Sequence, residues 1–317
     1  MSSRGSGGVV DINHFKQGKV SPVSGSELPL SVEPLPSKSL TLADGLTAAY
    51  CEMGQGEPIV FLHGAFTHAY TWRNIIPTIS RFGRCIAPDF LGMGGTDAQR
   101  NSGPDSYHYR QQCDYLDELL DVLVPDGQVT LVLQDFGSMF GCDWAYRNQS
   151  RVKALVHYGG VYTSGIAVQR GDNLSGEVPV TELQDFVLDS PDLFEGLAML
   201  GIDRSLDPVE MKHYNERYQE PGESRRPIQR WLSFAPLPGE IIESSPFVAC
   251  YTSWMKYSKV PKLWIRPADN KIVTPGWDAL AQSFVNQTTV EIPGNFLLTE
   301  DNPQGFADAI SDWLSSQ

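Results

Sequence analysis

The chain has 317 residues, of which 41% are hydrophobic and 20% are charged, values that suit a globular protein with a sizeable core. Its formal net charge of −14 argues against the clustered basic surface that nucleic-acid binding needs. No apolar run reaches the roughly 18 residues of a membrane span, and the first residues lack the apolar core of a secretory signal. We therefore expect a cytoplasmic protein that neither binds nucleic acid nor inserts into a membrane.

Buried strands and amphipathic helices alternate along the chain after a polar N-terminal segment. Residues 1–37 are rich in Ser, Gly and Pro and are predicted to form a flexible arm. Two strand-like runs then flank the turn Asp44-Gly45, which is a hairpin signal. In chain order, the pattern next predicts a strand at 58–62, a helix at 71–81, a strand at 84–88, a helix at 107–124, a strand at 129–133, a helix at 139–148 and a strand at 153–158.

A long segment interrupts this alternation. Between 163 and 247 the sequence has helical pieces, prolines and charges but no clear buried strand. The alternation resumes with strands at 261–265 and 288–292 and helices at 276–285 and 303–314. The pattern predicts a mostly parallel α/β sheet flanked by helices, formed by residues 38–162 and 248–317, with a helical cap at 163–247 inserted after the sixth strand.

Asp135 occupies the most distinctive position in the sequence. The segment from Val129 to Ser138 runs from a buried strand through a sharp turn into a helix. Such a turn presents one side chain above the sheet at a helix N-terminus, and small residues such as Gly137 let the helix approach the strand. A carboxylate there suits attack on an sp³ carbon, acid–base catalysis or simple helix capping, and the pattern alone leaves these roles open.

Several segments together resemble the haloalkane dehalogenase family of enzymes with the α/β-hydrolase fold. These segments are His63-Gly64, the stretches 70–77 and 84–94, Gln134 to Ser138, the stretches 209–214 and 238–240 in the predicted cap, and 298–303. The resemblance covers residues 38–317 and implies that fold, a nucleophile position at Asp135 and an acid at Asp269. It also implies a small organic substrate, and we expect no cofactor and no metal.

The side chains that this family uses for hydrolysis are only partly present. Where the resemblance implies the catalytic histidine the sequence has Phe296, and where it implies an alternative acid it has Gly159. The two leaving-group donors correspond to Ala65 and Phe136, whose side chains carry no N–H. Losing one such donor typically lowers a rate by about 10²–10³, and losing the base lowers it by roughly 10²–10⁴. Both replacements argue against turnover as a hydrolase.

Few other groups offer a substitute for the missing parts. Of the six histidines, His68 and His108 lie in the more open segments and are the candidates for a substitute base. Asp269 needs a new partner in the absence of the histidine, and Lys271 or Arg266 lie near it in sequence. In so apolar a setting the pKa of Asp135 is expected to rise, so that the side chain can donate a proton.

These observations favour a non-hydrolytic enzyme, a cyclase or isomerase that folds a large apolar natural-product intermediate for epoxide opening, pericyclic closure or a similar step of secondary-metabolite biosynthesis. The alternatives are a haloalkane dehalogenase or epoxide hydrolase with an unrecognised base, and a ligand-binding pseudoenzyme. The oligomeric state is left open. Aromatic residues of the predicted cap, among them Phe186 and Trp231, either line the cavity or pack in the core. The predicted substrate-binding residues are Ala65, Trp72, Gln134, Phe136, Tyr162, Asn295 and Phe296.

Overall fold

An eight-stranded, mostly parallel sheet forms the centre of the protein. The computed structural model describes residues 30–160, 162, 180–190, 193, 201–234, 241–269 and 275–317. The strands are β1 (Ser37–Thr41), β2 (Thr47–Met53), β3 (Pro58–Leu62), β4 (Arg84–Pro88), β5 (Val129–Gln134), β6 (Val152–Tyr158), β7 (Lys262–Pro267) and β8 (Gln287–Ile292). Their order across the sheet is β1-β2-β4-β3-β5-β6-β7-β8, in which β2 runs antiparallel to both neighbours and the other pairs are parallel.

Helices cover the sheet and follow its strands. The described α-helices are α1 (Ile76–Ile79), α2 (Tyr109–Leu123), α3 (Phe136–Arg147), α4 (Val180–Asp189), α5 (Pro208–Asn215), α6 (Arg226–Leu232), α7 (Ser245–Tyr257), α8 (Pro275–Gln282), α9 (Leu298–Asp301) and α10 (Pro303–Ser315). Among the residues described, none of these helices is long and apolar enough to cross a membrane.

Apolar side chains are buried on both faces of the sheet, which is why the central strands are continuous apolar runs. Because consecutive side chains of a strand point to opposite faces, Val60 and Leu62 of β3 pack into one core with helices α2, α3 and α7. Ile59 and Phe61 of the same strand pack into a second core with α1 and α10. The α/β-hydrolase architecture expected from the sequence is therefore observed.

The predicted hairpin forms, and the chain before it contacts the core. Strands β1 and β2 pair antiparallel around the Asp44-Gly45 turn, where Gly45 has φ +80°. Residues 1–29 of the predicted arm lie outside the described residues. Of the residues that follow, the carbonyl of Ser31 accepts from Arg73 Nε at 2.8 Å, and the carbonyl of Val32 accepts from the Tyr70 hydroxyl at 2.6 Å. The end of the predicted arm is thus docked on the core.

The helix predicted for 71–81 is wrong in its extent. The structure has a 3₁₀ turn at Ala69–Trp72, followed by the four-residue helix α1 at Ile76–Ile79. Pro77 explains the break, because proline has no N–H and is tolerated only in the first turn of a helix, where α1 places it. The segment therefore consists of two short pieces rather than one helix of three turns.

The described residues between 163 and 247 contain helices α4, α5 and α6 and no strand. This agrees with a helical insertion after the sixth strand. Residues 163–179, 191–192, 194–200 and 235–240 lie outside the described residues, so the exact cap boundaries stay a prediction.

A buried ionic network ties the cap to the core. The Arg73 guanidinium contacts Glu300 at 2.6 Å and also Glu210 of α5, with all three side chains almost fully buried. Arg204 pairs with both carboxylates, and the Tyr214 hydroxyl donates to Glu300. Burial alone would raise the pKa of Glu210, but hydrogen bonds from Arg204 and from a backbone N–H lower it to about 2. Because a buried charge is costly without partners, the network fixes α5 against the core.

Candidate active site

Asp135 sits in a strained turn between β5 and α3. Its backbone has φ +48° and ψ −124°, a conformation that non-glycine residues rarely adopt. The turn is tight because a Cβ at Gly137 would lie 2.3 Å from the His63 carbonyl oxygen, so only glycine lets α3 approach β3 this closely. Strain of this kind is maintained where a side chain must be presented at a defined point. The predicted strand, sharp turn and helix around Asp135 are observed.

Two backbone N–H groups hold the Asp135 carboxylate. The Ala65 N–H donates to Oδ2 at 3.0 Å, and the Phe136 N–H donates to the same carboxylate. Gly64 makes room for this contact, since a Cβ there would lie 2.7 Å from the Cβ of Asp135. Ala65 and Phe136, which lack the side-chain donors that the resemblance implies at their positions, therefore contribute backbone N–H groups to the site.

The peptide that carries the Ala65 N–H is fixed from its other end. The Gly64 carbonyl accepts from the Thr67 hydroxyl at 3.0 Å and lies 2.9 Å from His63 Nδ1. The N–H of Phe90 donates to His63 Nε2 at 3.0 Å, so the imidazole proton is on Nδ1 and points at Gly64. Burial lowers the pKa of His63 to about 4, which keeps the ring neutral. The role of His63 in orienting this peptide depends on contacts that the sequence does not show.

Burial dominates the electrostatics of Asp135. The side chain is buried, and desolvation raises its pKa to about 7, although the hydrogen bonds from Phe136 and Ala65 act in the opposite direction. Among the described residues, no charged side chain is one of the groups that shift this pKa. At neutral pH the protonated and ionised forms of Asp135 are therefore both well populated.

The Phe296 ring lies beside the turn, against Gly159. A Cβ at Gly159 would meet Phe296 Cε2 at 2.9 Å and the Asp135 nitrogen at 3.8 Å. The two positions that would hold the histidine and the alternative acid are therefore in direct contact and share one space. The phenyl ring fills it only because position 159 has no side chain. We conclude that the two replacements depend on each other physically.

The loop that carries Phe296 is fastened to the cap. The buried Asn295 accepts from the Phe296 N–H through Oδ1 at 2.8 Å and donates through Nδ2 to Asp203 at 3.1 Å. The Asp301 carboxylate accepts from the N–H groups of Asn295, Asp203 and Arg204. Asn295 was predicted to bind substrate, but these contacts show it shaping the loop.

An aromatic cluster, Phe90, Phe136, Phe140 and Trp231, lies next to the Asp135 turn. The indole of Trp231, from cap helix α6, contacts the rings of Phe90 and Phe140 at centroid distances of 5.0 Å and the ring of Phe136 at 6.0 Å. It also stacks on His63 at 6.0 Å. Trp231 thus contacts His63, which orients the Gly64 peptide, and Phe136, which directly follows Asp135.

Tyr162 is buried and uses its hydroxyl within the protein. The hydroxyl donates to His157 Nδ1 at 2.8 Å, and His157 Nε2 lies 3.0 Å from the side-chain oxygen of Gln287. Burial lowers the pKa of His157 to about 3, so this histidine is a neutral core residue. Tyr162 also lines a cavity together with Val248 and Thr252, and its role as a substrate contact stays a prediction.

Trp72, Gln134 and Asp269 lie apart from the group around Asp135. The Trp72 ring is fully buried between Phe61 and Phe306 in the second core, which makes it a packing residue. Gln134 is buried, and strand alternation turns it to that same face. Asp269 is exposed, with its N–H bound to the Gly294 carbonyl. It therefore does not take the buried position expected of an acid that serves Asp135.

No substitute partner emerges for either aspartate. Arg266 pairs with Glu291 at 2.8 Å, and Lys271 lies outside the described residues. His68 contacts the carbonyl of His213, and His108 contacts Arg230, so neither takes the place of the missing base in the described structure. His14 lies outside the described residues. Within the described ranges, no three His, Cys, Asp or Glu side chains converge on a possible metal site.

Comparison with known proteins agrees with this geometry. Residues 57–295 match the family model of the alpha/beta hydrolase fold, and the chain belongs to that fold class. A haloalkane dehalogenase of Mycolicibacterium smegmatis is 35% identical over 280 residues, which cover 86% of this chain and 88% of the relative. One from Sphingobium indicum is 32% identical, over 90% and 97% of the two chains. The chain is therefore a member of the haloalkane dehalogenase family.

Solved structures agree with this assignment. The haloalkane dehalogenase DatA from Agrobacterium tumefaciens C58 superimposes with a TM-score of 0.76 and is 28% identical. The match covers 88% of this chain and 97% of that chain. The departures predicted at positions 65, 136, 159 and 296 therefore concern a chain whose fold is that of the family.

Proposed function

We propose that this chain is a non-hydrolytic enzyme that acts on a small apolar organic molecule, with Asp135 as its acid–base group. The observation that carries the proposal is the surroundings of Asp135. Its carboxyl group has a pKa of about 7 and accepts from two backbone N–H groups. The Phe296 ring lies against Gly159, near the backbone of Asp135, at the position where the family resemblance implies the base that activates water.

The site lacks groups that each of the two steps of a family reaction requires. Hydrolysis of an ester on Asp135 needs a base to activate water, and a base is worth roughly 10²–10⁴ in rate. Release of a halide needs preorganised donors, worth about 10²–10³ each. Ala65 and Phe136 have no side-chain donors, and their backbone N–H groups bind the Asp135 carboxylate itself. Turnover as a hydrolase is therefore disfavoured at both steps.

The surviving carboxyl group suits an intramolecular reaction. A general acid or base works best when its pKa lies near the working pH, which holds for Asp135. Ring opening of an epoxide by a hydroxyl of the same molecule needs one proton delivered to the epoxide oxygen and one removed from the hydroxyl. Protonated Asp135 supplies the first, and its carboxylate accepts the second, so the product is an isomer and no water is consumed. An apolar site favours such a substrate by holding it in a reactive conformation.

A second candidate, a haloalkane dehalogenase, has specific support from the comparisons. The relatives named above are haloalkane dehalogenases, and the strained turn still presents Asp135 as it would a nucleophile. In that case the carboxylate displaces a halide and forms an ester, which then persists because the base is missing. A ligand-binding protein without activity is the third possibility.

The test compares wild type with Asp135→Asn and, as a matched control, Asp269→Asn, which alters an exposed aspartate. Each protein is incubated in H₂¹⁸O with an apolar γ,δ-epoxy alcohol, with styrene oxide and with 1,2-dibromoethane. We expect cyclic ether without ¹⁸O from wild type and Asp269→Asn, and none above background from Asp135→Asn. Repeated bromide release or an ¹⁸O-labelled diol would contradict the proposal. A stable mass adduct on Asp135 would favour the blocked dehalogenase, and binding without conversion would favour the pseudoenzyme.

A further inference from the structure

Trp231 carries a polar atom that the described structure leaves without a partner. The side chain is fully buried, and its Nε1 has no hydrogen-bond acceptor in the described structure. Buried tryptophans usually place their N–H against an acceptor, because a buried donor left unpaired loses the hydrogen bond it made to water. An unpaired indole N–H is therefore a place where an acceptor from outside the chain would be stabilised.

The location of this indole connects it to the Asp135 turn. Its ring stacks on His63 at 6.0 Å and lies 6.0 Å from the ring of Phe136. Through its own backbone N–H, Phe136 binds the Asp135 carboxylate, and His63 orients the neighbouring Gly64 peptide. A molecule bound against the rings of His63 or Phe136 at the Asp135 turn therefore comes within reach of Trp231. Since α6 belongs to the helical insertion, this donor comes from the cap rather than from the sheet.

The chemistry of the surroundings selects the acceptor. The ring contacts of Trp231 are with neutral aromatic groups, and His63 is kept neutral by burial. In the part of the chain that the structure describes, no cationic side chain is one of the groups that shift the pKa of Asp135. An anionic ligand would meet an ionised carboxylate with no compensating charge, which is unfavourable in an apolar site. A neutral oxygen satisfies an N–H donor without that cost.

We propose that Trp231 is a substrate-binding residue, whose indole N–H donates to a carbonyl, ether or epoxide oxygen of an apolar molecule bound beside Asp135. The inference rests on the proposed function in one respect, that the substrate lies next to Asp135. It adds the class of substrate, an oxygenated apolar molecule rather than a hydrocarbon or an anion. It also adds a role for the cap, which orients that oxygen through one hydrogen bond.

The test measures binding and needs no turnover. Protein with ¹⁵N-labelled tryptophan is titrated with acetophenone and benzophenone, and with ethylbenzene and diphenylmethane, which have similar shapes but no oxygen. The chain has seven tryptophans, and the Trp231 indole signal is assigned by its loss in Trp231→Phe. We expect a ketone to move the proton chemical shift of the Trp231 indole N–H downfield. The hydrocarbons should not cause this downfield shift. If Trp231→Phe does not fold, the Trp231 signal is assigned by elimination, from the loss of each other indole signal in single Trp→Phe variants of the other six tryptophans.

Affinities of the variants give the second readout. Trp231→Phe keeps an aromatic ring but removes the N–H, so it should weaken ketone binding by about 5- to 30-fold, the value of one hydrogen bond, and hydrocarbon binding by less than about 2-fold. Trp144→Phe, in the buried part of α3, is the matched control and should leave this difference unchanged. Equal losses for both ligand types, or a Trp231 signal that no ketone moves, would overturn the inference. Ketone binding at Trp231 with no ring closure in the earlier assay would reject the proposed function alone.

Discussion

Replacing Asp135 by asparagine should make the protein more stable at neutral and alkaline pH. In the folded state the pKa of Asp135 is about 7, compared with 3.8 for an unperturbed carboxyl group. Between these two values the folded state holds a proton that the unfolded state has released, so wild-type stability falls as the pH rises. The full loss is about 4 kcal/mol, and about 3 kcal/mol of it falls between pH 5 and pH 8. Asparagine has no such titration and keeps an oxygen acceptor for the Ala65 and Phe136 N–H groups.

The assay is urea denaturation of wild type and Asp135→Asn at pH 5 and at pH 8. The stability difference between the two proteins should change by about 3 kcal/mol in favour of the variant as the pH rises, and all other titrations cancel in that difference. Asp269→Asn is the control, because it makes the same chemical change at an exposed aspartate. A difference for Asp135→Asn that is the same at both pH values would refute the idea that desolvation controls this carboxyl group.

Two further predictions concern packing and charge. Gly159→Ala adds a methyl group at φ +61° and 2.9 Å from the Phe296 ring, so it should lower the free energy of unfolding by about 1–3 kcal/mol more than Gly127→Ala, which has φ +80° but no atom within 4 Å of the added group. In a Phe296→Ala background, Gly159→Ala should lose most of that excess cost. Equal losses of stability at both glycines would contradict the contact. Arg73→Met leaves the buried carboxylates of Glu210 and Glu300 poorly compensated and should lower the free energy of unfolding in urea by about 3–5 kcal/mol. Arg110→Met, which breaks an exposed ion pair within a helix, should lower it by less than about 1 kcal/mol. A similar small loss for both variants would show that the buried network contributes little to stability.

The sequence predicted those parts of the fold that depend on local pattern. Strands β3 and β4 begin and end where their apolar runs do, and the turn at Asp135 follows from the glycine at position 137. The helix predicted at 71–81 is too long, because its apolar residues have helical spacing but Pro77 can occupy only the first turn of a helix. Local pattern is therefore reliable for buried strands and weaker where a short apolar segment contains a proline.

The site was only partly predictable, since side-chain direction depends on partners far away in the chain. Trp72 is an aromatic residue of the kind that often lines a pocket, yet its ring packs against Phe306 in the core. The hydroxyl of Tyr162 likewise bonds to the buried His157. The network around Arg73 joins residues more than 130 positions apart, and nothing in the sequence near Arg73 or Glu300 announces the pairing. The replacement of the hydrolytic side chains was visible in the sequence, whereas the contact between two of those positions required coordinates.

The contact between Gly159 and Phe296 couples the substitutions that these two positions accept. A side chain at position 159 and a phenyl ring at position 296 compete for the same volume, so a side chain at 159 requires a smaller residue at 296. An acid placed at 159 alone would meet the ring. A histidine placed at 296 alone would find no acid at 159. An attempt to build a hydrolytic site here therefore has to change both positions together.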